Sequence, residues 1–407
     1  MKSQPASLKI AMLSVHSSPV GDLGTRDTGG MSVYIRELAK ALGKRGHHID
    51  IFTRHDYGDH EPVIALYDNV RIIHLNGGTG GGADKSALYS HLPKFFHDLE
   101  SFRIKEKITY DVIHSHYWLS GVLGADAQSS WNVPHMLTFH TIGAVKKHLC
   151  PAENESDLRL SSEKMLAGLC DQIIVPTQKD KNYLIAFYDV PPHKIRVIPC
   201  GVDMERFKPV GKSIARQQLA MRREDRIVLC VGRHTPIKGL DRLLKAVGRL
   251  KNYPRLRLIL VGGDGEASPM FRQLQSEAKT LNIQDHLTFT GRVDQERLPL
   301  YYSAADVLAV PSYYESFGLV GLEALACGTP VVTTPVGDME NIVKDGLTGY
   351  VAVDPDPRSF AAYIEAALVT QQANGLSPEQ IRASVSEFTW EAAASKMIEA
   401  YRSVVYR

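Results

Sequence analysis

Five cysteines in 407 residues, at positions 150, 170, 200, 230 and 327, are too few and too scattered for a disulfide framework or a metal-ligand cluster. They read as buried thiols in a reducing cytoplasm. An excess of either charge is also missing: 47 Lys and Arg face 45 Asp and Glu, a formal net charge of +2. A general nucleic-acid binder is thereby disfavoured, because neutralising phosphates takes a basic surface. No apolar run reaches the length of a membrane span and no signal peptide precedes Lys9, so no transmembrane segment is expected. Shallow attachment to a membrane surface stays open. The chain lacks the GxGxxG dinucleotide fingerprint and any internal repeat, and no acidic DxD-like metal motif stands out.

What is present is the composition of a globular protein, 44% hydrophobic and 23% charged. The length calls for two domains of about 200 residues each. Residues 8–15 (LKIAMLSV) form a near-continuous apolar run of the kind found in a buried parallel strand. A long loop, 16–28, then leads to Gly29-Gly30-Met31 and the amphipathic stretch 33–42, which is the opening of a doubly wound unit. Further strands are expected at 48–52, 70–75, 111–118, 134–141, 171–177 and 195–199. The glycine-rich segment 77–84 (GGTGGGAD) reads as a loop, followed by Lys85 and one helical stretch to Phe102. Two strands run out into polar, aromatic tips, His114-Ser-His116-Tyr117-Trp118 and Thr138-Phe-His140-Thr141. Ligands of parallel α/β sheets gather at these carboxyl ends. His114 and His116 are expected on opposite sides of their strand, which argues against a metal site, and His140 reads as a hydrogen-bonding wall.

The first domain is therefore placed at 1–199, a linker at 200–210, a second domain at 211–385 and a terminal helix at 386–407. The second series opens with the strand 226–232, followed at once by Arg233, Lys238 and a helix at 240–250. Strands at 256–263, 287–291, 304–310 and 330–334 complete it. Two cations at the carboxyl end of a core strand face a cleft, where they can stabilise negative charge developing on a departing phosphate.

Residues 311–330, PSYYESFGLVGLEALACGTP, organise the rest. The spacing of Leu319, Leu322, Leu325 and Ala326 predicts a helix beginning near Gly318 and stopped by Gly328 and Pro330. Glu315 then stands in the loop before the helix, and Glu323 about one turn inside it. Backbone N–H groups at Phe317, Gly318 and Leu319 lie between the two carboxylates. Carboxylates accept from sugar hydroxyls and a helix start receives a phosphate, so the pattern suits a ligand with both.

This string resembles the donor-site signature of retaining glycosyltransferases of family 4, whose two Rossmann-like α/β domains face across a deep cleft (the GT-B fold). The resemblance spans essentially the whole chain. It implies that Glu323 binds a nucleotide ribose and that Arg233 and Lys238 bind the donor diphosphate. Glu315, with Ser316, Phe317, Gly318, Leu319 and His140, would meet the transferred sugar and phosphate. Gly30 lies against the donor phosphates and the acceptor, and Val293 meets the base through backbone atoms. His140, Arg233, Lys238 and Glu315 are the implied catalytic set. The cations would stand in for a divalent metal, and no cofactor beyond the UDP-sugar substrate is implied. The terminal helix is expected to cross back onto the first domain.

HSHYWLSG and TFHTIGAVKKH resemble one branch of this family, the inositol-phosphate N-acetylglucosaminyltransferases that start mycothiol synthesis. There, residues matching Lys85, Tyr117, Thr141, Lys146 or Lys147, and Arg159 surround a phosphorylated acceptor. The string KSALYSHLPKF at 85–95 looks more like sucrose-phosphate synthases, which use fructose 6-phosphate. The expectation is transfer of a hexosyl group from UDP-N-acetylglucosamine or UDP-glucose to a small phosphorylated polyol or sugar. Alternatives are a peripheral enzyme of lipid-linked polysaccharide, a UDP-sugar-binding protein and a UDP-sugar epimerase. The first would need a basic-apolar face, for which 94–107 is a weak candidate. Oligomeric state is not legible, a homodimer being one option.

Overall fold

A computed structural model describes residues 7–20, 28–54, 62–76, 85–354, 356–373 and 375–406. The glycine-rich loop expected at 77–84 and the stretch 21–27 of the first long loop lie outside the described residues.

The first sheet contains β1 (Lys9–Ser14), β2 (His48–Arg54), β3 (Val63–Tyr67), β4 (Val70–Leu75), β5 (Val112–His116), β6 (His135–Thr138), β7 (Gln172–Val175) and β8 (Ile195–Val197). Their order is β3-β4-β2-β1-β5-β6-β7-β8, parallel throughout except for β3, which runs antiparallel on β4. The second sheet contains β9 (Arg226–Val231), β10 (Leu256–Val261), β11 (Leu287–Gly291), β12 (Val307–Val310), β13 (Val331–Thr333) and β14 (Gly349–Val351). Its order, β11-β10-β9-β12-β13-β14, is parallel in every pairing. This is the doubly wound pair of α/β domains expected.

Strands at the middle of each sheet are apolar at successive positions because helices cover both faces. In β1, Ile10, Ala11, Met12 and Leu13 are all fully buried, and Ile10 sits in register between Ile49 and Val112. Two strands escaped the sequence reading, β3 and β14. Both are edge strands paired on one side only, so they carry no two-faced apolar pattern. The single helix expected from Lys85 to Phe102 is two, Lys85–Ser90 and Leu92–Glu106. Pro93 lies in the first turn of the second, where its missing N–H costs nothing, whereas inside one long helix it would remove a bond.

The last helix, Trp390–Val405, packs on the helix Gly30–Gly43 of the first unit. Thr389 caps it by accepting from the Ala392 N–H at 3.1 Å, and Val202 of the connection bonds the Phe388 carbonyl at 2.9 Å. Trp390, Met397, Ile398, Tyr401 and Val404 bury its apolar face, each contributing ~1.5–3 kcal/mol of transfer from water. One apolar cluster thus runs from Ile10 and Tyr34 through this helix to Phe207 of the connection and to Tyr302 and Leu322 of the second unit. It ties the two halves together on one side of the cleft.

Candidate active site

The turn after β9 and the turn after β12 are stitched to each other. The Tyr313 N–H donates to the Ile237 carbonyl at 2.8 Å, and buried Arg242 donates to the Pro311 carbonyl at 2.6 Å. Gly239 has φ +65°, and a Cβ there would lie 2.1 Å from the Pro311 oxygen, so only glycine lets the two turns approach. The approach places Lys238 Nζ 2.7 Å from Glu315 Oε1, which also accepts from Ser312 Oγ at 2.7 Å. Arg233, His234, Lys238, Ser312 and Glu315 line one pocket at the carboxyl ends of β9 and β12.

The helix after Glu315 runs Leu319–Ala326, with Gly318 before it at φ +101°. With Gly318 as the cap, the N–H groups of Gly318, Leu319 and Val320 have no intrahelical acceptor, and the first bond runs from the Gly321 N–H to the Gly318 carbonyl at 3.0 Å. Glu323 is buried one turn on, and Tyr302 Oη donates to it at 2.7 Å. Burial pushes the Glu323 carboxyl up to about 7, against the lowering effect of that hydroxyl. Val293, just beyond β11, is partly buried against the same core.

The other wall comes from the first unit. A Cβ on Gly29 would stand 4.0 Å from Arg233 Nε, and one on Gly30 would stand 3.6 Å from Leu319 Cδ1. The Gly-Gly turn therefore faces the cation and helix start of the opposite domain. His140 has φ +60° and Tyr117 φ +74°, values that non-glycine residues seldom adopt and that cluster at functional sites. His140 Nε2 is 2.9 Å from His116 Nδ1, and its ring meets Tyr34 edge-on at 5.0 Å.

The expectation that His114 and His116 point apart is corrected here. Residues two apart in a strand share a face, and the two rings lie 4.3 Å from each other. His114 is further held by Tyr401 Oη at 2.8 Å and Thr138 Oγ1 at 2.9 Å. Among the described residues no group of three His, Cys, Asp or Glu is placed to hold a metal ion.

Burial, with neighbouring histidines adding for His114, lowers His114, His135 and His140 to about 3, so all three are neutral at pH 7. Burial also lowers His16 and His116 well below the ordinary value. The unfolded chain would protonate these histidines near pH 6.5, whereas the folded one does not, so stability falls as pH drops below that value. The slope approaches ~1.4 kcal/mol per pH unit for each histidine. Asp180 and Glu323, raised to about 7, act in the opposite sense between pH 4 and 7, but five histidines outweigh two carboxyls. Urea midpoints measured from pH 7 to pH 5 should fall steadily; a flat profile would show that the rings are not held neutral.

Of the expected acceptor residues, four come together. Lys85 Nζ lies 5.1 Å over the Tyr117 ring and Arg159 Cζ 4.8 Å over it. Arg159 donates to Thr141 through both the carbonyl, 2.8 Å, and Oγ1, 3.0 Å. Arg159 is only 2% exposed and also binds Glu163 at 2.6 Å and Glu155 at 2.8 Å. Burial works against its charge, yet these carboxylates hold its pKa above the ordinary value. Lys146 pairs with Glu155 beside this group. Lys147 does not join it and pairs with Asp157 at an exposed position, 3.2 Å away.

Buried polar atoms without a hydrogen-bond partner among the described residues gather nearby: His16 Nδ1, His116 Nε2, Tyr117 Oη and Trp118 Nε1. Unsatisfied groups in such number are costly unless something binds there. The sequence reading missed His16 and His116 as members of the site, although both lie at strand ends where ligands gather. It also missed Tyr302, Ser312 and Arg242, which act through tertiary contacts and carry no local signal.

Residues 28–206 match the family described as Glycosyltransferase Family 4, and residues 211–385 match Glycosyl transferases group 1. A D-inositol 3-phosphate glycosyltransferase of Geodermatophilus obscurus is 37% identical over 97% of this chain and 89% of its own length. One from Mycobacteroides abscessus is 37% identical over 97% and 88%. Among solved structures, the sucrose-phosphate synthase of Thermosynechococcus elongatus is 34% identical, covers 98% of this chain and 99% of its own, and superposes with a TM-score of 0.89. With two facing α/β domains and both family matches meeting at the cleft, this chain belongs to the family 4 glycosyltransferases of the GT-B fold.

Proposed function

We propose that this glycosyltransferase moves a hexosyl group from a UDP-sugar, N-acetylglucosamine or glucose, to a small phosphorylated polyol of the inositol phosphate kind, with retention at the anomeric carbon. One observation carries the reading. The second domain holds a cation–carboxylate pair suited to a sugar diphosphate (Lys238 and Glu315, with Arg233 in the same pocket), and the first holds a cationic and aromatic group at Lys85, Tyr117 and Arg159.

In this scheme Arg233 and Lys238 take the developing charge of the leaving diphosphate, as fixed cations requiring no reorganisation. Glu323 accepts from the ribose hydroxyls, and Glu315 with His140 from and to the sugar. Neutral His140, with Nε2 turned to His116, has its other nitrogen for a sugar hydroxyl. The anomeric C–O bond to the diphosphate breaks while the acceptor oxygen attacks the same face. The departing phosphate oxygen takes the acceptor proton, so no protein nucleophile is needed. Because fixed cations neutralise the diphosphate, the reaction should run without an added divalent ion.

Lys85 carries a specific expectation. A charge-assisted bond to phosphate is worth ~1.5–3 kcal/mol, so Lys85→Ala should lower kcat/KM for the phosphorylated acceptor by about ten- to a hundredfold. The KM for the donor should stay unchanged, and the discrimination against the unphosphorylated acceptor should shrink. Equal losses with both acceptors would place the phosphate elsewhere.

A second reading, glucose transfer to fructose 6-phosphate, is favoured by the 34% identity and near-complete overlap with a sucrose-phosphate synthase. The two readings separate in one experiment. UDP release is followed from UDP-N-acetylglucosamine and UDP-glucose, each with inositol 3-phosphate, fructose 6-phosphate or no acceptor. Release confined to N-acetylglucosamine with inositol phosphate supports the first reading, and release confined to glucose with fructose 6-phosphate the second. Release in every well without an acceptor would favour an epimerase or hydrolase and overturn both.

A further inference from the structure

The helix Gln178–Tyr188 of the first domain begins with a local signal that is only half used. Thr177 caps it, its hydroxyl accepting from the Asp180 N–H at 3.0 Å. An acidic residue at this third position ordinarily turns back to the cap residue's own N–H, closing a capping box. The chain does close such a box elsewhere, between Ser377 and Gln380. Asp180 does not. Its carboxylate crosses to the second domain, where Oδ1 accepts from Tyr314 Oη at 3.1 Å and Oδ2 from Ser316 Oγ at 2.8 Å.

Those two residues flank Glu315. One carboxylate of the first domain therefore grips the donor loop of the second on both sides of its acidic residue. Tyr314 is 5% exposed and packs, with Ile237, into the apolar cluster of the first domain. Lys179, next in line, reaches across as well, donating to the Pro335 carbonyl at 2.9 Å and pairing with Glu340. Asp180 itself is 3% exposed, and burying a carboxylate is costly unless its acceptor sites are filled. The two hydroxyls of the opposite domain fill them.

We infer that Asp180 is a positioning residue that sets Glu315 for transfer only when the two domains are together. The pull on Glu315 from its own domain comes from Lys238 and Ser312, and both act on the single oxygen Oε1. Bonds within the second domain hold the loop at Pro311, Tyr313 and Phe317, and the contacts from Asp180 add a hold on the two residues next to Glu315 itself. The donor carboxylate is then complete only in the closed arrangement, so opening the cleft loosens it before the nucleotide leaves. This rests on Glu315 acting on the transferred sugar, as proposed above.

The test compares Asp180→Ala, Asp180→Asn, Tyr314→Phe and the double variant Asp180→Ala/Tyr314→Phe with Glu315→Ala, in the full chain. Turnover is measured with whichever donor and acceptor pair the wild type uses, and UDP binding by calorimetry. Asp180→Ala and Tyr314→Phe should each lower kcat by about tenfold or more, and the double variant should be no worse than Asp180→Ala alone. Asp180→Asn, which keeps one acceptor oxygen, should recover part of the loss. UDP affinity should stay within about twofold, because the nucleotide-binding residues belong to the other domain. Wild-type kcat in Asp180→Ala and Tyr314→Phe, beside a dead Glu315→Ala, would overturn the positioning role and leave the donor reading standing. Parallel loss of UDP affinity, melting temperature and kcat would reduce Asp180 to a structural contact. Full turnover in Glu315→Ala would bring down the donor reading and the positioning role with it.

Discussion

Replacing Lys238 by alanine should lower kcat by ~10²–10³-fold, the usual cost of losing one fixed group that stabilises charge developing in the transition state. Two effects combine. On the proposed reading the departing diphosphate loses a cation, and Glu315 loses the ammonium 2.7 Å from its Oε1. Ser312 then remains as the one polar partner of that oxygen shown by the geometry, which leaves a half-buried carboxylate facing an anionic donor. Lys238→Arg restores charge but not shape: a planar fork replaces a compact ammonium at a turn where Gly239 already abuts Pro311. Its kcat should fall between those of the wild type and Lys238→Ala. Steady-state kinetics on the three proteins check this, and equal kcat in all three would remove Lys238 from the reaction.

Replacing Arg159 by methionine should destabilise the fold by ~3–5 kcal/mol, because it strands Glu163 without its buried cation and leaves Glu155 to Lys146. Glu163 is fully buried and keeps only the Tyr188 hydroxyl at 2.6 Å and the Gly143 N–H at 2.8 Å. Thr141 loses both of its bonds from the guanidinium at the same time. A double variant, Arg159→Met with Glu163→Gln, should regain part of the stability by removing one stranded charge, while the acceptor site stays impaired. Urea unfolding separates these effects from kinetics. An Arg159→Met midpoint equal to wild type would show that the guanidinium serves ligand alone.

Arg159 was legible in the sequence only through resemblance. From the residues alone, an arginine in the helix Asp157–Leu169 is one more polar position. The two glutamates four residues to either side are ordinary helix spacing as well. The strands at the centre of each sheet were readable because both their faces are covered, which writes an unbroken apolar run into the sequence. The edge strands β3 and β14 were not. The donor loop was the most readable segment, since a helix start, two carboxylates and a terminating Gly-Thr-Pro fall within twenty residues, 311–330. The histidines of β5 show a different failure. Period-two geometry places His114 and His116 on one face, and reading them as opposed hid the His116–His140 contact. The sequence reading passed over Asp180, whose spacing from Thr177 marks a helix start but no interdomain contact. Nothing local tells a capping carboxylate from one that crosses to another domain.

The central claim is that a UDP-sugar and a phosphorylated polyol meet across this cleft and exchange a hexosyl group on one face. Nuclear magnetic resonance of the product from UDP-N-acetylglucosamine and inositol 3-phosphate, with UDP-glucose and fructose 6-phosphate run beside it, tests this most directly. The expected result is an α-linked product from one of these pairs, with little or none when the acceptor lacks its phosphate. A β-linked product, or equal product from the unphosphorylated acceptor, would contradict the account.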